Sequence, residues 1–426
     1  MKGIYKIILL AFVFRITLAF LVWHPDVNNH VDWGIRFWQY GPGEFYKANV
    51  WSFTWPNQPP GTIYIFAAVR KIFEAVFSFF WFININIPLF PSNIMLFFET
   101  NLYPSLLKLP AILADLGIAY LIFLFFREKG KEKIGAWAAM AFLVNPITWY
   151  NSSIWGQTDA TINFFGLLSL LLLLERKLVF SFLSLSLSLF IKASLGILLP
   201  IFLIIAWRQR YQVNTWIKAI SIPLVIIGIL TLPFSGLPAQ AGEPFSWLFN
   251  LYKDKVFGWQ LHLITANAFN FWAALTGIHE RPDTLMAGLL NFRTWGYILF
   301  GITFIPLLVK VYKKFDFQNI LWVCFLTLFS IFVLATGMHE RYLYPIFPLL
   351  TIITALERKW LPLLISISVI YLLNLYNFWW YPRIEWLIEF MSAWDRLLPR
   401  ILGGVVTTLF LYVYVSFVKS PKVIKK

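Results

Sequence analysis

Cysteine and charged residues are both scarce in this chain of 426 residues. The single cysteine, Cys324, lies in an apolar run, which excludes an internal disulfide bond and a cysteine-rich metal site. Only 13% of the residues are charged, against about 25% in soluble domains. The sequence also lacks a phosphate-binding glycine loop, a dinucleotide-binding fingerprint and an HExxH zinc helix. Nucleotide hydrolysis and zinc hydrolysis are therefore poor hypotheses for its function.

Hydrophobic residues make up 59% of the chain, and its mean hydropathy is +0.71. The first apolar run, Ile7–Trp23, is too long for a signal peptide core and has no small-residue cleavage site, so we interpret it as a retained helix. Segments long enough to cross a bilayer, or nearly so, recur along the chain. They are residues 5–23, 108–126, 134–150, 158–174, 213–234, 294–311, 319–336, 342–356, 360–377 and 401–418.

Two further apolar regions do not fit a single crossing. Residues 178–206 are too long for one helix, and basic residues flank both ends, which predicts a hairpin broken near Lys192–Ser194. Residues 61–107 must return to the side of the membrane on which they start. We expect them to form two helices, or a re-entrant pair that lies along the outer interface. The sequence therefore predicts one all-α polytopic membrane domain, 1–426, with about ten to fourteen membrane helices and interfacial helices in the outer loops. Its parts are an outer loop at 24–60, a second long outer loop at 235–293, and C-terminal helices at 360–418.

The net charge of +15 at first suggests a nucleic-acid partner. With the N-terminus inside, however, most Lys and Arg residues fall in the short inner loops, whereas acids and bases nearly balance in the long outer ones. This is the positive-inside distribution, so the excess charge sets orientation and excludes a nucleic-acid partner. We expect a multi-pass protein of the plasma or inner membrane, with both termini cytoplasmic.

Three polar clusters fall on the predicted outer side. They are Asp26 and Asp32 in the first loop, Trp155–Asp159, and Met338–Pro345. The loop at 24–60 is too long for a simple connection and too aromatic to be disordered, so we interpret it as an active-site loop. Asp26, His30 and Asp32 are too few fixed ligands to predict a metal site, although a divalent ion is not excluded.

The triplet His339–Glu340–Arg341 is the strongest candidate for anion binding. Arg341 to Glu357 gives only about 22 Å of helix, short of a ~30 Å hydrocarbon core, so the triplet would lie below the outer surface. Arg suits phosphate, and His can add a hydrogen bond. The alternative to anion binding is that the triplet caps a helix and anchors it at the membrane interface. A second triplet, His279–Glu280–Arg281, is interpreted as coincidence.

Charged residues near or inside predicted spans form a further group, because intramembrane charge is costly and usually functional. Lys108 and Asp115 are two helical turns apart on one face, which leaves a structural ion pair open as the alternative. Lys192 lies at the predicted break in the hairpin and could instead extend to the interface.

The order of these motifs resembles the GT-C superfamily of polytopic glycosyltransferases, nearest to its bacterial and archaeal mannosyltransferase-like branch. The similarity covers roughly residues 1–360. The family's Asp-Tyr before Pro-Pro-Gly is Asn57–Gln58 here, and Asp32 adds a second acid to the loop. The matching elements, in order, are Asp26 and Trp33, Phe45–Tyr46, Pro59–Tyr64, Lys108–Leu116, Trp155–Asp159, Lys192, and His339–Tyr342.

The resemblance implies transfer of a hexose, mannose as the first guess, from a polyprenol-phosphate donor to a glycan, glycolipid or protein acceptor on the extracytoplasmic face. It implies inversion with an aspartate general base and no cofactor. Because phosphate leaves as a stable anion, one carboxylate plus cations is a sufficient catalytic set. Asp26 matches the family position and is the predicted base, with Asp32 as the alternative. The implied substrate-binding residues are His339, Glu340, Arg341, Tyr342, Gln157, Asp159, Lys108 and Lys192.

Two other function classes compete with this hypothesis. A transporter or flippase of lipid-linked sugars would concentrate polar residues on broken helices at the midplane, often with inverted repeats. Here the polar residues cluster in outer loops, and internal symmetry is not visible. A non-catalytic scaffold of an envelope complex would not need Asp26.

Overall fold

The computed structural model describes residues 2–236, 242–257 and 262–419. In this range the chain is mostly helical, with loops between the helices and one small hairpin. The first ten helices are α1 Lys2–Ala19, α2 Asp26–Tyr40, α3 Pro42–Phe45, α4 Pro60–Asn86, α5 Asn93–Phe97, α6 Tyr103–Leu106, α7 Leu109–Arg127, α8 Glu132–Val144, α9 Pro146–Trp149 and α10 Asp159–Leu174. Short π-helical segments occupy Phe98–Leu102, Tyr150–Trp155 and Tyr252–Phe257.

The second half of the chain continues the same pattern. Its helices are α11 Leu178–Ile191, α12 Leu199–Arg208, α13 Val213–Ser235, α14 Glu243–Leu251, α15 Phe271–Thr276, α16 Phe292–Lys313, α17 Phe317–Leu334, α18 Ile346–Leu356, α19 Leu361–Trp379 and α20 Glu385–Lys419. The backbone of α20 leaves helical geometry between Ala393 and Arg396. Two short strands, β1 Met286–Ala287 and β2 Leu290–Asn291, pair antiparallel before α16.

Six helices among the described residues are long and apolar enough to cross a membrane. These are α7, α13, α16, α17, α19 together with the preceding 3₁₀ turn, and α20. Four shorter apolar segments accompany them, formed by α10, by α11, by the 3₁₀ turn Ala193–Leu198 with α12, and by α18. The predicted all-α polytopic membrane architecture is confirmed.

The chain divides into two compact units, which we describe separately. The first is Met1–Phe125, Thr148–Leu195 and Gln212–Trp259, and the second is Phe126–Ile147, Gly196–Tyr211 and Gln260–Lys426. The predicted outer loop at 235–293 therefore contributes to both units. Its residues 237–241 and 258–261 lie outside the described part of the chain, as do 420–426 of the predicted inner tail.

An aromatic cluster forms the core of the first unit around the predicted active-site loop. Phe37, Phe45, Phe66 and Phe234 are nearly fully buried there. The first half of the loop 24–60 is not a loop, because α2 is a 15-residue helix that packs on α4. Buried residues recur on one face of α2 at helical spacing, which is the signal that sequence reasoning missed.

The structure describes both of the apolar regions that did not fit a single membrane crossing. The break in the hairpin at 178–206 is confirmed, since α11 ends at Ile191 and Lys192 is extended, with φ −160° and ψ 135°. The region 61–107 forms two helical stretches separated by residues 87–92, which is one of the two predicted arrangements. It begins with one helix of 27 residues, α4, and continues as α5, a π-helical segment and α6.

The second unit is built around α17. Almost every residue of this helix is buried, and α16, α18 and α20 all pack against it. A helix that is apolar on all sides suits such a central position. The neighbouring α18 begins at Ile346, four positions after the start predicted from hydropathy, and its 11 residues give about 16 Å of helix.

Candidate active site

Asp26 is the first residue of α2 in the first unit, and its side chain is 32% exposed. Its Oδ2 accepts a hydrogen bond from Gln157 Nε2 at 2.6 Å, and Trp155 Nε1 approaches the same oxygen at 3.5 Å. The start of a helix also favours negative charge. The carboxylate is thus held in place while part of it still reaches solvent.

His24 supports this arrangement through its ring. Nδ1 accepts the backbone N–H of Asp26 at 3.1 Å, so the proton of a neutral ring sits on Nε2. The ring stacks on Trp155 with centroids 4.4 Å apart, and the His24 N–H donates to the Trp155 carbonyl. Nδ1 also lies 3.4 Å from Asp26 Oδ1.

Gly156 explains why Gln157 can reach Asp26. Its φ of +90° is a left-handed conformation that favours glycine, and a Cβ there would lie 2.6 Å from Val27 Cγ2. The N–H groups of Gly156 and Gln157 both donate to the Asn151 carbonyl, which closes the preceding π-helical segment. The Trp-Gly-Gln sequence therefore forms a tight turn directly against the start of α2.

Asp159 and Lys192 form an ion pair in the same unit. Lys192 Nζ donates to Asp159 Oδ1 at 2.8 Å, and both side chains are mostly buried. Asp159 is the first residue of α10, two positions beyond Gln157. The predicted residues Asp26, Gln157, Asp159 and Lys192 are therefore brought into two linked pairs.

The Pro-Pro-Gly motif positions the break that carries Lys192. A Cβ on Gly61 would lie 2.6 Å from the carbonyl oxygen of Phe190, so only glycine allows the start of α4 to pack this closely. Thr62 Oγ1 then donates to the Ile191 carbonyl at 2.5 Å. That bond satisfies a carbonyl at the end of α11, where the helix leaves it without a partner.

Asp32 has different surroundings from Asp26. Its side chain is buried, and its two oxygens accept from Ser52 N at 2.9 Å and Ser52 Oγ at 2.8 Å, with Arg36 Nε at 3.3 Å. Nearby, Asn29 Oδ1 accepts from both Thr54 N and Thr54 Oγ1. These contacts fix the segment after α3 to α2. Asp32 therefore anchors the loop.

Tyr46 anchors the same loop from its other side. Its hydroxyl donates to the Gln58 carbonyl at 2.6 Å. Burial raises the pKa of Tyr46 well above its usual range, so the phenol stays protonated and keeps this bond.

Lys108 is fully buried and meets backbone carbonyls rather than Asp115. Its Nζ donates to Ala19 O at 2.9 Å, to Ser153 O at 2.9 Å and to Val22 O. Asp115 instead lies 3.7 Å from Arg15 Nε. Lys108 therefore joins the end of α1 to the π-helical segment before Trp155, and the alternative of a Lys108–Asp115 pair is wrong.

The His339–Glu340–Arg341 triplet lies in the second unit, in a turn rather than at a helix start. Bridges between His339 and the segment Ala266–Asn267 hold the turn, and Gly337 N donates to Leu263 O. The prediction that this motif opens a helix is wrong, because these backbone bonds tie it to the segment before α15 instead.

Arg341 is held by its neighbours in that turn. Glu340 is fully buried, and its Oε1 accepts from Arg341 Nη1 at 2.7 Å, so Glu340 orients Arg341 directly. Tyr371 donates its hydroxyl to the Arg341 carbonyl at 2.6 Å. The guanidinium lies 5.8 Å from the Tyr342 ring, which also contacts the His339 ring at 5.0 Å. Arg341 keeps 19% side-chain exposure and His339 keeps 14%.

Sequence reasoning missed His24 and Tyr371. His24 precedes Asp26 by two positions, a spacing that suits a local side chain to backbone bond. Tyr371 lies in an apolar helix and carries no motif, so its contact with Arg341 could be found only from the fold. The second triplet is separate, since His279 Nε2 lies 3.3 Å from Asp395 Oδ2 and is partly exposed.

No protein-family model and no curated protein matches the sequence. Among solved structures, the crystal structure of ArnT from Cupriavidus metallidurans bound to undecaprenyl phosphate superposes with a TM-score of 0.52. The fold of this chain is similar to that of ArnT. The match covers 97% of this chain and 76% of ArnT at 10% sequence identity, so the likeness is one of fold. The likeness in fold extends over nearly the whole chain.

Proposed function

We propose that this protein is a glycosyltransferase that uses a polyprenol-phosphate sugar as its donor. The observation that carries the proposal is the carboxylate of Asp26, oriented by Gln157 at the start of α2 and partly exposed. The fold likeness to ArnT, which was crystallised with undecaprenyl phosphate, supports a polyprenol phosphate as the lipid part of the donor. The ordered GT-C motifs point to the same chemistry.

In the proposed reaction, the acceptor hydroxyl attacks the anomeric carbon of the sugar from the face opposite the phosphate. A carbon–oxygen bond to the acceptor forms, the bond to phosphate breaks, and polyprenol phosphate leaves as an anion. Asp26 takes the hydroxyl proton as general base. The configuration inverts, because one displacement occurs.

The leaving phosphate needs cations because its charge grows as the bond breaks. We propose that Arg341 and His339 supply the positive charge beside the phosphate. The Tyr342 ring packs against the His339 ring, and Glu340 orients Arg341. Asp159 orients Lys192, which supplies a further positive charge. Lys108 has a structural role in this proposal, because its ammonium group donates to backbone carbonyls.

The sugar and the side of the membrane are the finer parts of the proposal. A hexose, with mannose first, follows from the GT-C resemblance, with a glycan, glycolipid or protein as acceptor. The positive-inside distribution supports a reaction on the extracytoplasmic face, with both termini cytoplasmic.

Transfer in proteoliposomes tests the proposal. The purified protein would receive radiolabelled polyprenol-phosphate mannose on the outer face, with a membrane extract as the acceptor source, and polyprenol phosphate release would be followed. Label that reaches acceptor together with released polyprenol phosphate supports transfer. Label that only changes leaflets would identify a flippase, and label that does neither would contradict both functions.

A further inference from the structure

A cavity of about 890 Å³ lies in the second unit, at one end of four membrane helices. Its lining comes from the end of α16, the start of α17, the start of α19 and the end of α20. The His339–Arg341 turn follows the opposite end of α17, a helix of 18 residues and about 27 Å. The cavity is therefore separate from the His339–Arg341 turn of the same unit.

Positive charge gathers at the rim of this cavity. Lys310, Lys314 and Lys359 line it, against one carboxylate, Glu357. Lys310 Nζ donates to the carbonyls of Phe417 and Val418 at the end of α20, the latter at 3.1 Å, so it is fixed by the helix terminus. A cation there also suits the negative end of a helix.

The other two lysines can change partners. Lys314 lies 3.3 Å from Asp316, and Lys359 lies 2.7 Å from Glu357. Both ammonium side chains are exposed, at 45% and 68%, and exposed ion pairs of this kind are weak. A ligand phosphate that meets both lysines can therefore replace these contacts.

The wall below the lysines is aromatic and then aliphatic. Trp322 packs against Trp360 with ring centroids 4.9 Å apart and against Phe417 at 5.9 Å. Leu409 and Val413 continue the wall along α20, about 12 Å from Phe417 to Leu409. This side of the lining is thus apolar, while Ser366, Tyr412 and Ser416 add polar groups elsewhere in the cavity.

We propose that this cavity binds an anionic glycerophospholipid, with its phosphate between Lys314 and Lys359 and an acyl chain along Leu409 and Val413. A volume of 890 Å³ lies within the usual range of ligand pockets. Basic pockets between membrane helices are suited to acidic headgroups. The apolar wall distinguishes a lipid from a free phosphate, which would gain nothing from it.

Native mass spectrometry of the purified full-length protein, after exchange into defined lipids, tests this site. Phosphatidylglycerol, phosphatidylcholine and inorganic phosphate would be offered separately. The Lys314→Gln/Lys359→Gln variant removes the two rim charges, and Lys131→Gln/Lys133→Gln removes the same charge from the exposed start of α8 in the same unit. Ser366→Trp, on the lining, would fill the cavity without changing charge.

We expect the wild type and the Lys131/Lys133 variant to retain one phosphatidylglycerol in preference to phosphatidylcholine. The Lys314/Lys359 variant should lose that preference on the order of tenfold, and Ser366→Trp should lose retention of the lipid. Equal retention of the two lipids by the wild type would overturn the proposal. So would an unchanged preference in the Lys314/Lys359 variant, or inorganic phosphate binding that displaces the lipid at equal affinity.

Discussion

At the scale of single residues, two aspartates of the same helix are distinguished by their partners. Asp26 accepts a hydrogen bond from Gln157 and keeps access to solvent, whereas Asp32 is buried under bonds from Ser52 and Arg36. A general base must accept a proton from substrate, which requires access. The sequence favoured Asp26 by its family position but left Asp32 as the alternative, because both lie in the same polar stretch and their partners depend on the folded loop.

Replacing Asp32 by Asn should destabilise the first unit rather than remove the base. An amide cannot accept from both the Ser52 N–H and Oγ and also meet Arg36, so we expect a loss on the order of 1–3 kcal/mol. Thermal unfolding in detergent measures it, with Glu44→Gln as a control, because Glu44 is an exposed carboxylate of the same loop. An unchanged melting temperature with abolished transfer would move the base to Asp32.

Arg341 provides the second residue-scale prediction. Losing one charged donor at a partly desolvated phosphate should cost on the order of 2–4 kcal/mol of transition-state stabilisation in Arg341→Ala. Arg341→Lys should recover little, since a point charge lacks the planar fork that Glu340 holds. His339→Ala should show a loss in the same range.

Donor affinity and turnover in nanodiscs measure these three variants. Arg383→Ala is the matched control, because Arg383 is exposed and pairs only with a neighbouring exposed acid among its described contacts. Wild-type affinity and rate in all three variants would show that the phosphate is bound elsewhere, with Lys192 as the next candidate.

At the scale of elements, hydropathy predicted most of the helices and missed the ones that shape the site. The break at Lys192 and the spans α7, α13, α16 and α17 follow from apolar length and flanking charge. The helix α2 could not be found from hydropathy, because polar residues are as frequent in it as in a loop, even though its buried residues keep a helical spacing. The turn at His339 could not be predicted, since bonds to residues 266 and 267 determine it.

The tight turn at Gly156 yields an element-scale prediction. Gly156→Ala must place a methyl group against Val27 in a left-handed conformation, which should cost on the order of 1–3 kcal/mol and displace Gln157 from Asp26. Gly301→Ala is the control, because a Cβ there meets nothing within 4 Å and its helix would gain propensity. Unfolding temperature and transfer rate should both fall only in the first variant. Unchanged values for both would contradict the packing argument.

At the scale of the whole molecule, the charge distribution is the sole basis for orientation. The net charge of +15 is concentrated in the short loops assigned to the cytoplasm. The fold likeness to ArnT spans 97% of the chain.

Cysteine labelling tests that orientation. In a Cys324→Ala background, single cysteines at Lys47 and Leu289, both exposed in predicted outer loops, should react with an impermeant maleimide in intact cells. A cysteine at Lys359, exposed in a predicted inner loop, should react only after permeabilisation. The reverse pattern would overturn the orientation and the proposed face of reaction.

The transfer reaction of Asp26→Asn tests the central claim most directly. The amide can still accept from Gln157 but cannot take the acceptor proton, so folding and donor affinity should stay near wild type. Transfer from polyprenol-phosphate mannose in proteoliposomes should fall by about 10²–10⁴-fold, the usual contribution of a general base. A folded Asp26→Asn protein that transfers sugar at the wild-type rate would contradict the account.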